Sequence, residues 1–132
     1  MLPGREVWRF LRQFANALVA QARRLMVWSH NIDVIDVQPN RLVLNANNRR
    51  IIADRRTRNF MAADRVIASF DTVESIEIRY VENGDGPEYW TVSLATTAHK
   101  RVAIGKTFDD AQASVAAARL ATIASKKVVA VR

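Results

Sequence analysis

The chain has 132 residues, 49% of them hydrophobic and 25% charged, which is enough for one domain with its own core and excludes a disordered chain. It has no cysteine, so disulfides, thiol nucleophiles and cysteine-ligated zinc are excluded, and a reducing cytoplasm suits it. The formal charge of +7 is uneven: residues 61–100 carry three positive against seven negative groups, while the segments on both sides are net basic, a polarised field that favours anionic surfaces.

The first element is predicted from period. Val7, Leu11, Phe14, Leu18, Ala22 and Leu25 recur at steps of three or four, and the arginines at 5, 9, 12 and 23 lie off that stripe. Residues 1–30 therefore read as an amphipathic helix after Pro3 and Gly4, with Trp8 and Trp28 near its ends. Such a helix docks on its own domain, pairs with a second copy, or lies in an anionic membrane interface as a peripheral anchor. Trp8, Leu11, Phe14, Leu18 and Leu25 are the candidate membrane or oligomer contacts. The uncharged run from Gln13 to Ala22 is about half what a bilayer span needs, so the helix does not cross a membrane.

From residue 31 the period becomes two. Ile32 and Val34 alternate with Asp33, Pro39-Asn40 marks a turn, and Leu42, Leu44 and Ala46 share a face. Asn47-Asn48 is a hairpin turn, because asparagine tolerates positive φ. The return strand is predicted from Arg49 to Arg58 and holds Arg49, Arg50, Arg55, Arg56 and Arg58, five arginines in ten positions. On one extended strand Arg50, Arg56 and Arg58 face one way and Arg49 and Arg55 the other, so the strand alone makes no phosphate cradle. Asp33 and Asp36 are expected to pair with the arginines of this hairpin.

Val66, Ala68 and Phe70 alternate next, then Ile76, Ile78 and Tyr80, with Ser75, Glu77 and Arg79 outward. After the turn signal NGDGP, Trp90, Val92 and Leu94 share a core face opposite Tyr89, Thr91 and Ser93. A turn around Thr97–Lys100 leads to Val102 and Ile104. A C-terminal helix is expected over residues 107–126, capped by Thr107 with Asp110 and buried through Ala113, Ala116, Ala117, Leu120, Ile123 and Ala124. The terminal VVAV is a last strand or a tail.

The stretches FDTVESIEI, EYWTVSL and RVAIG, followed by the capped helix DDAQASVAAARLA, resemble the bacterial pleckstrin-homology-like domains. The resemblance implies an α+β fold over residues 31–132, a bent seven-stranded antiparallel barrel or sandwich capped by the C-terminal helix. It also implies a scaffold that binds lipid headgroups, peptides or proteins.

Catalytic chemistry is not expected. His30 and His99 sit at turns without metal-ligand spacing. Gly105-Lys106-Thr107 ends like a phosphate loop but lacks the upstream glycine, since position 100 is Lys. The carboxylate pairs Asp33 with Asp36, Glu74 with Glu77 and Asp109 with Asp110 read as surface or capping groups, and no cofactor is expected. The sequence thus predicts a non-enzymatic interaction domain that binds a protein partner or an anionic membrane surface, with a basic nucleic-acid-binding protein as the alternative. Its candidate anion or partner contacts are Arg49, Arg50, Arg55, Arg56, Arg58 and Lys106.

Overall fold

A computed structural model describes residues 30–131; the predicted N-terminal helix lies outside them. Among the described residues nine strands form two sheets. The five-stranded sheet is a meander in the order β1 (Ile32–Val37), β2 (Arg41–Ala46), β3 (Arg49–Asp54), β4 (Asn59–Ala62) and β5 (Arg65–Ser69). A single 3-10 turn, Phe70–Thr72, leads into β6 (Val73–Val81), followed by β7 (Tyr89–Thr96), β8 (Arg101–Thr107), the helix α1 (Asp110–Ala124) and β9 (Lys127–Val131). These last four strands form the second sheet in the order β8-β7-β6-β9, and β9 runs parallel to β6.

This corrects the expected seven-stranded pleckstrin-homology-like barrel. The strands number nine, one pairing is parallel, and the sheets do not close into a barrel. Two local features account for the difference. The predicted strand 49–58 stops at Asp54, whose Oδ1 accepts the Arg56 N–H at 2.8 Å and turns the chain. Arg58 then takes a left-handed φ of 57°. The second is the β4–β5 hairpin, closed by Ala63 and Asp64 at φ 48° and 64°, a turn geometry that usually advertises itself with Asn or Gly. The predicted Asn47-Asn48 turn has the same geometry, with φ 53° and 64°.

The helix α1 packs one face against both sheets, touching β1 to β3 and all four strands of the second sheet, and leaves its other face exposed. Its predicted face is the buried one: Ala113, Ala116, Ala117, Leu120, Ile123 and Ala124, joined by Ala121. Alanine lets the helix axis approach both sheets, and the core is completed by Leu42, Leu44, Ile51, Phe60, Phe70, Ile76, Val92, Leu94 and Ile104. The helix start is corrected from 107 to Asp110. Asp109 is the N-cap and accepts the Ala111 N–H at 2.9 Å, while Thr107 is fully buried and donates to Gln112 Oε1 at 2.8 Å. The helix ends at Ala124 rather than 126, with Ser125 in the left-handed conformation.

One close approach sets the packing of β8 on the first sheet. A Cβ at Gly105 would stand 2.9 Å from both Ala46 Cβ and Asn47 Oδ1. Gly105→Ala is therefore expected to lower stability by about 1–3 kcal/mol, the range for overpacking. In chemical denaturation the midpoint should fall with an unchanged slope.

Candidate functional site

The arginine stretch is mostly committed to holding the fold. Arg55 lies against the end of α1. It donates Nε to Ile123 O at 2.9 Å, one terminal nitrogen to Thr122 O at 3.0 Å, and the other to Pro39 O at 2.8 Å. The guanidinium thus satisfies last-turn carbonyls that the helix leaves open, where the dipole favours a cation. Arg49 donates to Ala103 O and Ile104 O at 2.9 and 3.2 Å, clamping the β2–β3 hairpin to the edge of β8. Arg58 pairs with Asp71 at 2.8 Å and lies 5.9 Å from the Phe70 ring centre. That hydrogen bond and charge hold the Asp71 carboxyl below its ordinary range.

The side chains of Arg50 and Arg56 have no hydrogen-bond or ion-pair partner among the described residues. Arg50 projects from the outer face of the five-stranded sheet and Arg56 from the turn after β3. Three of the five arginines therefore act through protein carbonyls or a carboxylate, and the stretch is no phosphate cradle. The expected pairing of Asp33 and Asp36 with it does not form among the described residues: Asp36 accepts from Gln38 Nε2 at 2.9 Å instead.

Lys106 is positioned by a reciprocal pair of bonds. Asn47 Nδ2 donates to Lys106 O at 2.8 Å, and Lys106 N donates to Asn47 Oδ1 at 2.9 Å. Its Nζ lies 5.6 Å from the Tyr89 ring centre. The sequence placed Lys106 beside a helix N-terminus, but the helix starts four residues later, and its first turn already carries Asp109 and Asp110. The phosphate-loop echo is thus a strand end and a cap.

What the topology assembles lies on the outer face of the four-stranded sheet. Ile76, Val92 and Leu94 are fully buried, so the residues alternating with them face away from the core. Cross-strand register arranges them in rows. Arg101, Ala95, Ser75 and Lys127 form one; Ala103, Ser93, Glu77 and Val129 the next; Lys106, Thr91, Arg79 and Val131 the third; Tyr89 and Val81 the last. Arg49 reaches the same face from the β8 edge. Five cations, Arg49, Arg79, Arg101, Lys106 and Lys127, thus share a face whose row residues include one carboxylate, Glu77. Glu74 stands in the bulge at the corner where β6 begins.

Glu77 is only 12% exposed and is paired with Arg101, which is 54% exposed; the pair sits low on the sheet, with the arginine outermost. Between the cations stand Ser75, Thr91, Ser93, Ala95 and Ala103. Small side chains keep this surface low, with a shallow depression walled by Arg49, Thr91, Ser93, Ala103 and Lys106, so long basic side chains at its rows reach beyond it. With strands about 4.8 Å apart, Lys106 and Arg79 are about 10 Å from each other, and the two basic rows lie about 13 Å apart along the strands.

Of the six predicted anion contacts, the fold brings Arg49 and Lys106 to this face and leaves Arg50, Arg55, Arg56 and Arg58 elsewhere. Sequence reasoning missed Arg79, Arg101 and Lys127 as contacts. The one available signal was the outward alternation of Ser75, Glu77 and Arg79. Among the described residues no group of three or more His, Asp or Glu could hold a metal ion; His99 is exposed at a turn, and His30 stacks on Phe108 at 4.7 Å. No helix among them is long and apolar enough to cross a membrane. Compared with protein-family models, curated proteins and solved structures, the chain shows no match.

Proposed function

We propose that this protein is a non-enzymatic interaction module that docks by the outer face of its four-stranded sheet onto an anionic membrane surface. The observation that carries the reading is the segregation of Arg49, Arg79, Arg101, Lys106 and Lys127 onto one face. A bed of small residues ringed by cations complements a layer of headgroups. Tyr89, Val81, Val129 and Val131 on the same face supply short apolar and aromatic groups at the depth of the headgroup layer.

Nucleic acid suits the face less well. A single strand needs stacking rings, and the only ring in these rows is Tyr89, already facing the Lys106 ammonium.

Each basic residue near an anionic bilayer contributes about 1 kcal/mol. A net excess of four cations then gives about 4 kcal/mol, which is reversible peripheral binding. Sedimentation with vesicles tests this. The protein should pellet with phosphatidylcholine vesicles containing about a third phosphatidylserine, and stay in solution with phosphatidylcholine alone. Raising the salt to about 0.5 M should release it, since screening then acts within a few ångströms. Equal pelleting with neutral vesicles, or binding to single-stranded RNA and to neither vesicle, would sink the reading.

A further inference from the structure

The inner face of the four-stranded sheet carries a second feature, at the end where β6 runs out. There Ile78, Tyr80 and Glu82 of β6 and its exit, Trp90 of β7, and Ala130 and Val131 of β9 line an open groove of about 710 Å³. The Tyr80 and Trp90 rings stand 5.3 Å apart at 55° and are both half-exposed. Trp90, expected in the core by its alternation with Val92 and Leu94, packs against the core with one side and walls the groove with the other. Next to the rings, Tyr80 hydrogen-bonds Glu88, and that bond together with desolvation pushes the phenol up to about 12. Tyr80 therefore remains a neutral donor throughout the neutral range.

Among the described residues the charge here is one-sided: Glu82 and Glu88 have no ion-pair partner, and none of the lining residues is Lys or Arg. Two ring faces and two unneutralised carboxylates all favour a cation. Guanidinium fits better than ammonium, because it is planar, stacks on rings and forks to carboxylates. The groove also borders the edge of β9, which pairs only with β6 and leaves its other side without a ladder partner among the described strands. An open strand edge receives an extended chain, with alternate side chains entering neighbouring pockets.

We propose that this groove binds an arginine side chain of an extended partner polypeptide running beside β9, with the guanidinium against the Tyr80 and Trp90 rings and facing Glu82 and Glu88. Ile78 and Ala130 receive apolar side chains two positions before and after the arginine, which share its face of the extended chain.

The test is titration of the full chain with the capped pentapeptide Val-Ser-Arg-Ser-Val and with its neutral isostere Val-Ser-citrulline-Ser-Val, read by NMR from the ring signals of Tyr80 and Trp90. The arginine peptide is expected to shift both rings and to bind about tenfold more tightly than the citrulline peptide. In Glu82→Gln/Glu88→Gln, whose substitutions are on exposed residues, the arginine peptide should weaken about fivefold and the citrulline peptide should not change. Equal affinity of the two peptides overturns the proposal. So does the absence of ring shifts up to ~10 mM peptide, or an arginine response that survives the double substitution intact. A response to tetramethylammonium with none to the peptides also overturns it, and assigns the groove to a small ammonium ligand.

Discussion

Replacing Phe60 by alanine is expected to lower the unfolding free energy by about 4 kcal/mol and the thermal midpoint by about 20 °C, measured by circular dichroism. Phe60 is fully buried on the short strand β4, its ring 4.8 Å from that of Phe70 and inclined at 53°. Its neighbours across the ladder are Ala53 and Ala68, too small to swing into the vacated volume. Phe70 is itself anchored, its N–H donating to Arg58 O at 2.8 Å, with the Arg58 guanidinium outside its ring. The cavity would therefore stay open, and the loss should fall toward the upper part of the range for large-to-small substitutions. Val66→Ala, on the adjacent strand but 57% exposed, should change stability by less than about 0.5 kcal/mol. A Phe60→Ala loss below about 1.5 kcal/mol would show that the β4–β5 hairpin does not pack as described.

The same hairpin shows where the sequence stops being readable. Period two located β1, β2, β7 and β8, and the Asn47-Asn48 turn was visible because asparagine tolerates the left-handed region. The helix face was legible but for Ala121, since a 3.6-residue period over fifteen positions leaves little freedom. The β4–β5 turn was not legible, because Ala63 reaches left-handed φ without a side chain that normally permits it, and Asp64 alone is a weak turn signal. There the hairpin's pairing and the burial of Phe60 and Ala62 override local preference. The end of β3 was missed for a related reason: the Asp54 carboxylate bonds the backbone two residues on, and that signal cannot be told from a surface aspartate without the turn.

The candidate face was only half legible. Alternation alone directs Arg79, Thr91 and Ser93 away from the core, and it does so strand by strand. Which strand lies beside which is a separate matter. The parallel return of β9 beside β6 puts Lys127 in the row of Arg101, twenty-six positions away in sequence. Conversely, the densest arginine run drew attention because of its spacing, yet Arg55 and Arg58 bond backbone carbonyls or Asp71 away from that face, and of the run only Arg49 reaches it. Clustering in sequence measures local charge density, while a docking surface requires that side chains share a face.

Reversing two of the face's cations carries the largest expected effect on binding. Arg79→Glu/Lys106→Glu replaces both charges of the third row and should reduce binding to phosphatidylserine vesicles by about a thousandfold, which ends detectable pelleting. Both residues point away from the core, in a row whose neighbours are Thr91 and Val131, so the thermal midpoint should shift by only a few degrees. The control reverses Arg50 and Arg56, which project from the other sheet and its turn and have no side-chain partner among the described residues. Both double variants change the net charge of the chain equally, including whatever its basic first thirty residues contribute. If face geometry governs docking, only the Arg79 and Lys106 variant loses the vesicles, and the control keeps them within about threefold. If both variants lose them equally, net charge alone drives the association and the four-stranded sheet is not the docking surface. The comparison works because the two pairs are equal in charge and differ in the face they occupy, a property set by the strand register.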